Sequence, residues 1–157
     1  MKLRHFGLAA AALAAAATCT ALLAPAPPNP PVDPSLDLRA VSAVPAPVTS
    51  VLRRACFDCH SDTTRWPWYS KLPPASWLVA HDVREARSHL NFSRWGEYNA
   101  FDRADMLDEA CELVSDGEMP LWNYRLLHPH ARLTDEDVQT FCAWTRTEAE
   151  RLVTEGR

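Results

Sequence analysis

The C-terminal two thirds of this chain lack an excess of positive charge. Residues 48–157 contain one lysine and twelve arginines against eighteen aspartates and glutamates, which gives a formal net charge of −5. A nucleic-acid-binding domain needs a basic face that contacts phosphates. We therefore expect no nucleic acid among the partners of this chain.

Candidate β-strands are also scarce, and this absence sets the expected fold class. Apolar residues recur at helical spacing instead, which predicts helices over 48–60, 76–90, 100–115 and from 134 to beyond 152. Thr49 or Ser50 is expected to cap the first helix and Thr134 the last, while Gly117 ends the third. The sequence predicts an all-α domain with long loops.

No apolar run in the chain is both long and strongly hydrophobic. The nearest is the stretch from Phe6 to Ala24, which follows a basic start and consists largely of alanine and leucine. It approaches the about 20 residues that a membrane span requires. Residues 1–24 are predicted to be a signal peptide or a membrane anchor. The anchor is favoured because Pro25 or Pro27 would follow the possible cleavage sites.

Proline is concentrated in one part of the chain. Residues 25–47 hold eight of the thirteen prolines, which favours extended polyproline II structure and predicts a linker. The remaining residues, 48–157, are long enough for one small domain with a single core. The predicted order is therefore hydrophobic segment, proline-rich linker and helical domain.

The most specific motif is CxxCH, formed by Cys56, Cys59 and His60. This pattern is the attachment signature of c-type haem. On a helical turn the two thiols lie on one face, where each can bond to a vinyl group of the porphyrin. The adjoining imidazole can bind the iron as the proximal ligand. The motif predicts one covalently attached haem c.

Two other interpretations of Cys56 and Cys59 remain open at this point. A zinc site could add Cys111 and Cys142, but structural zinc usually takes its second pair of cysteines from another short spacing, which is absent here. A thioredoxin-like redox pair needs a βαβ context that the surrounding residues do not supply. Haem attachment is the favoured interpretation.

Met119 is the candidate for the sixth iron ligand. It lies in the segment Gly117 to Pro120, between the third and last predicted helices, where a loop can cover the haem face opposite His60. A methionine more often only fills a core. The alternative ligands are His81, His89, His128, His130 and Met106.

Two segments carry a family resemblance. The matching residues are Cys56, Cys59, His60, Ser61, Thr64, Arg65, Trp66, Pro67, Trp68, Tyr69, Pro74, Ala75, Ser76, Trp77 and Leu78, then Gly117, Glu118, Met119, Pro120, Tyr124, Leu127, His128, Pro129, Ala131, Leu133 and Trp144. The chain resembles the haem-binding domain family of bacterial exported proteins over about Val48 to Ala149. The resemblance implies a c-type haem domain behind a hydrophobic anchor. The order of helices and the methionine loop also resembles class I cytochromes c, as a topological analogy.

Several other side chains are candidates for supporting roles. Cys111 and Cys142 lie on inferred inward faces of two helices, and an oxidising compartment would allow a disulfide between them. A haem-pocket wall and partners for the propionates are expected from Arg65, Arg125, Trp66, Trp68 and Tyr69. Carboxylates of the third helix form either a solvated face or a docking surface for a basic redox partner, with the solvated face favoured.

These observations favour one-electron transfer by a monohaem cytochrome domain over an enzyme. The expected location is the periplasmic side of the bacterial inner membrane, or the periplasm, with a redox partner protein in the cell envelope. A haem-based sensor or peroxidase-like enzyme with an open distal site is the alternative. A metal- or disulfide-stabilised binding module without haem is a third possibility.

Overall fold

A computed structural model describes residue 18 and residues 28–156 of the chain. Among these residues the fold is all-α, as predicted, and no β-strand is present. The helices are α1 (Leu38–Val41), α2 (Ala46–Ala55), α3 (Phe57–His60), α4 (Ala75–His89), α5 (Ala100–Ser115), α6 (Trp122–Leu127) and α7 (Asp135–Glu155). Short 3-10 helices cover Pro34–Leu36, Trp68–Lys71, Phe92–Glu97 and Pro129–Ala131.

The core is built around the packing of α5 against α7, and α2 also packs against α7. Leu107 from α5, Phe141 and Leu152 from α7, and Leu52 from α2 are almost fully buried there. Burial of a side chain of this size contributes about 1.5–3 kcal/mol each. The long α5–α7 pair therefore forms a rigid base for the loop that connects the two helices.

The first predicted helix is wrong in its bounds and in its cap. The helix begins at Ala46, with Pro45 at the N-cap and no side-chain cap. Pro47 lies in the first turn, where a backbone N–H has no partner within the helix, so a residue without an N–H is tolerated there. The helix also breaks at Cys56, whose φ of −120° and ψ of −45° end α2. The amides of Cys59 and His60 then both donate to the Cys56 carbonyl and form the separate turn α3.

The third and last predicted helices are confirmed. Residues 100–115 form α5, and Gly117 follows it with a φ of 72°, a left-handed conformation that glycine adopts without strain. Thr134 caps α7 in a reciprocal capping box with Asp137. Arg54 of α2 pairs with the same carboxylate, which holds the pKa of Asp137 down at about 2.

Part of the segment predicted as a linker differs from an extended chain. Asp33 and Asp37 each cap a short helix through their carboxylates, and Leu38 of α1 is completely buried in the core. Trp95 donates from its indole N–H to Ser42 at 3.1 Å, which holds this segment on the domain. The physical reason is that the stretch 35–44 contains no proline and carries buried apolar side chains.

A disulfide joins Cys111 of α5 to Cys142 of α7. The bridge links the two helices that flank the Met119 loop, as the sequence allowed. The two cysteines are 31 positions apart in the sequence, so the bridge lowers the loop-closure entropy of the unfolded chain.

We expect the Cys111→Ser/Cys142→Ser variant to lose roughly 3–4 kcal/mol of unfolding free energy, because an unbridged chain of this loop length regains its closure entropy. Denaturant unfolding of both proteins under oxidising conditions measures the difference. Adding a thiol reductant should lower the stability of the wild type to that of the variant. An equal stability of wild type and variant would contradict a formed bridge.

The hydrophobic segment 1–24 lies outside the described residues, apart from Thr18. Within the described part of the chain, no helix combines the length and the apolar character needed to cross a bilayer.

Candidate cofactor site

A large apolar cavity lies between α3, α4, α5 and α6. Its volume is about 460 Å³, within the range of small-molecule and cofactor pockets. All four predicted site residues line it: Cys56, Cys59, His60 and Met119. Apolar side chains such as Val83 and Phe92 form much of the remaining wall. The fold thus brings together residues that are separated by about 60 positions in the sequence.

Cys56 and Cys59 are both free thiols that border the cavity. Burial raises the pKa of each thiol to about 12, with a further rise at Cys59 from the Asp58 carboxylate. Neither thiol therefore resembles the low-pKa, exposed cysteine of a thiol redox enzyme. Two free thiols that border one cavity both face the space in which a group bound there would lie.

The imidazole of His60 is held in one orientation. Its Nδ1 lies 3.0 Å from the carbonyl oxygen of Leu90, and since a carbonyl can only accept, Nδ1 carries the proton. Burial lowers the pKa of His60, so the ring is neutral and Nε2 keeps its lone pair. A backbone partner on one ring nitrogen that leaves the other free is the arrangement of a metal-binding histidine.

Met119 is placed by a tight turn at the end of α5. The amides of Glu118 and Met119 both donate to the Leu113 carbonyl, at 2.9 and 3.0 Å. Gly117 allows the reversal through its positive φ. The half-buried Met119 packs against the core, and Met106 of α5 also lines the cavity. The cavity therefore carries two thioethers.

A polar edge of the cavity is organised by Asp58, the second variable residue of CxxCH. Its carboxylate accepts from the Tyr124 hydroxyl at 2.9 Å and from Arg65 Nε at 3.1 Å. Burial and the Asp58 carboxylate raise the pKa of Tyr124, so the phenol stays protonated. These bonds tie α3 to α6 across the cavity edge.

His128 belongs to the same edge. Its Nε2 is 2.7 Å from the Tyr69 hydroxyl, and its ring stacks on Tyr124 with centroids 4.1 Å apart. Burial and the neighbouring His130 lower the pKa of His128. Of the alternative sixth ligands, Met106, His89 and His128 line the cavity, whereas His81 and His130 do not.

The predicted wall residues divide into two groups. Arg65 and Tyr69 line the cavity, whereas Trp66, Trp68 and Arg125 do not. Tyr124, Asn123 and Asp82 border the cavity without having been predicted as site residues. The Leu90 carbonyl that orients His60 was also missed. A backbone group carries no side-chain signal, and Tyr124 meets Asp58 only across 66 residues of sequence.

The four-cysteine zinc interpretation fails on the chemistry of its donors. Cys111 and Cys142 are consumed by their disulfide, which leaves two thiols instead of four. No cluster of three or more histidine, cysteine, aspartate or glutamate side chains suited to a metal ion occurs among residues 28–156. The four-cysteine zinc site therefore lacks two of its four ligands.

A family model described as a haem-binding domain matches residues 15–147, most of the chain. The chain belongs to the haem-binding domain family. No curated protein and no solved structure matches it. The family match identifies haem as the group that this domain binds.

The cavity of this haem-binding domain fits such a group. A porphyrin needs an extended apolar space, and the lining is largely apolar. Its iron can be bound by a nitrogen lone pair, which the Nδ1 hydrogen bond leaves on His60 Nε2. Both free thiols border the same space as His60. The donor set agrees with haem without any additional residue.

Proposed function

We propose that this chain is an exported or membrane-tethered monohaem c-type cytochrome domain that carries single electrons in the bacterial cell envelope. One observation carries the proposal: two free thiols, a histidine with an unprotonated Nε2 and a methionine border one apolar cavity. The expected partner is a redox protein of the same compartment. The predicted N-terminal anchor would hold the domain at the periplasmic side of the inner membrane.

Each residue has a defined part in this proposal. Cys56 and Cys59 would hold the haem through thioether bonds, and His60 Nε2 would bind its iron. Haem supplies an iron centre that exchanges one electron between its ferric and ferrous states. The Leu90 carbonyl keeps the His60 ring in its required tautomer and orientation. Val83, Phe92 and Phe141 are buried apolar side chains of the cavity wall and would keep water away from the haem.

Met119 would complete the coordination and leave no position for a substrate. The disulfide between α5 and α7 stiffens the two supports of its loop. Two backbone hydrogen bonds to Leu113 fix the loop itself. A loop fixed by the disulfide and by these hydrogen bonds can hold a weak thioether ligand in place. This favours electron transfer over the binding of a small ligand.

A second function is favoured by the polar edge of the cavity. Tyr69, His128, Tyr124 and Asp58 form a continuous set of hydrogen-bonded or stacked groups that borders the same space. Such groups could donate to a small ligand if the Met119 position were open. A haem-based sensor or peroxidase-like enzyme is therefore the alternative.

Carbon monoxide binding separates the two functions. We expect ferrous wild-type protein to show no spectral change with carbon monoxide, because the His60 and Met119 side chains would hold the iron and leave no open position on it. Voltammetry should show one reversible one-electron wave. Rapid carbon monoxide binding by the wild type would contradict the electron-transfer proposal and favour the sensor or enzyme.

A further inference from the structure

Exposed large apolar side chains concentrate on two segments of the domain. Nine such residues occur in the described part of the chain, and seven of them lie in residues 63–81 and 119–134. They are Trp68, Leu72, Trp77, Leu78, Trp122, Leu126 and Leu127, of which Trp68 is 74% exposed and Trp122 is 71% exposed. Exposed apolar patches of this kind mark protein or membrane contacts.

The two segments adjoin in space. The Tyr69 hydroxyl meets His128 Nε2 at 2.7 Å, which joins the Trp68–Lys71 turn to the end of α6. Asn123 of α6 donates to Asp82 of α4 at 3.2 Å. We call the exposed residues of 63–81 and 119–134 the apolar–cationic face.

Haem binding would not cover this face. Leu78 and Leu127 line the cavity, so a bound haem would bury part of them. Trp68, Leu72, Trp77, Trp122 and Leu126 do not line it and would stay exposed. The face therefore needs an occupant other than the cofactor.

The charge of the face is opposite to that of the domain. Neither segment contains an aspartate or glutamate, although residues 48–157 contain eighteen. The two segments carry four cations, Arg65, Lys71, Arg125 and Arg132, of which Arg65 is paired with Asp58. Trp122 and Leu126 share a surface cleft with both Arg125 and Arg132. Tryptophan, leucine and arginine without acids are the composition of protein surfaces at an anionic membrane interface.

The start of the described chain places this face near the predicted anchor. Asn29 donates to the Thr64 carbonyl at 2.9 Å and accepts from Arg87 at 3.0 Å, so the chain is fixed to the domain at residue 29. Thr64 belongs to the first of the two acid-free segments. Only residues 25–28 then separate the predicted anchor from this point, a reach of at most about 18 Å.

We infer that the apolar–cationic face rests on the anionic lipid surface and turns the cavity edge formed by Leu78 and Leu127 toward the bilayer. The inference relies on the proposed membrane anchor and not on the identity of the redox partner. Trp68, Trp77, Trp122 and Leu126 enter the interface, while Lys71, Arg125 and Arg132 contact lipid headgroups. The acidic side chains of α5 and α7 stay on the aqueous side.

The accessibility of Lys71 to an amine reagent can be measured specifically, because the only other lysine of the chain is Lys2. The Arg146→Lys substitution adds an exposed reference lysine on α7. The mature full chain with this substitution is reconstituted into phosphatidylcholine–phosphatidylglycerol vesicles. A membrane-impermeant amine reagent then labels the accessible lysines. Peptide mass spectrometry gives the labelling rate at each lysine. We expect Lys71 to react roughly fivefold or more slowly on these vesicles than in detergent, with the reference lysine unchanged.

Matched variants test the face itself. Trp122→Ser/Leu126→Ser should restore Lys71 labelling, whereas Phe101→Ser, which removes an exposed apolar side chain of α5, should not. Equal Lys71 rates on vesicles and in detergent would overturn the inference, as would protection that persists in Trp122→Ser/Leu126→Ser. Protection in detergent that rises with protein concentration would assign the face to a second copy and also overturn it. Failure of the haem proposal would appear separately, in the absorption spectrum of the same sample.

Discussion

Chains carrying Cys56→Ser and Cys59→Ser are expected to retain no covalently bound haem after export and maturation. The two thiols are the free cysteines of the described chain and border the cavity, so their removal leaves no sulfur at the site for a thioether. A haem stain on a denaturing gel should fall from full intensity to background. Each single variant should form one thioether bond at most and lose most of its haem stain.

Cys111→Ser/Cys142→Ser is the matched control for this experiment. It removes the same number of sulfur atoms but at the α5–α7 bridge, away from the cavity. This control should keep its covalent haem while losing stability. A haem stain that survives in Cys56→Ser/Cys59→Ser would contradict the proposed attachment. Loss of the haem stain in the control alone would show that haem retention depends on folding and not on Cys56 and Cys59.

Met119→Ala is expected to change the iron coordination without removing the haem. Loss of the thioether should abolish the methionine-to-iron charge-transfer band and open the ferrous protein to carbon monoxide. The reduction potential should fall by on the order of 0.1 V or more, since axial ligation spans about 0.8 V in haem proteins and methionine raises the potential. Absorption spectra and voltammetry measure all three effects.

Met106→Ala is the matched control, because Met106 borders the same cavity from α5. If Met119 is the ligand, Met106→Ala should keep the charge-transfer band and lose some stability, less than the about 2–5 kcal/mol of a fully buried methionine because Met106 is only partly buried. Loss of the band in Met106→Ala, with the band retained in Met119→Ala, would assign the ligand to α5 and contradict the proposed coordination.

The long helices could be predicted because local signals agreed with the tertiary fold. Thr134 and Asp137 form a capping box that is visible in sequence, and Gly117 marks the end of α5. The break at Cys56 was not predictable, because its neighbours continue the helical pattern and only the local backbone of the motif interrupts it. Burial of Leu38 was missed because the flanking prolines indicated a linker.

In the candidate site, too, some features could be predicted from the sequence and others depend on the fold. Its side-chain donors were visible, because CxxCH and the Met119 loop are short sequence patterns. The cavity edge was not visible, because Tyr124 meets Asp58 and Tyr69 meets His128 only through the fold. The hydrogen bond from His60 to Leu90 involves a backbone carbonyl, and any residue at position 90 could supply one. Sequence patterns thus identify the chemistry, and the fold supplies its orientation.

The intact mass of the exported, fully matured wild-type protein tests the central claim most directly. The account predicts the mass of the processed polypeptide plus one haem, retained under denaturing conditions, together with the absorption spectrum of haem c. A colourless protein with the mass of its polypeptide alone, produced in cells that mature other c-type cytochromes, would contradict it.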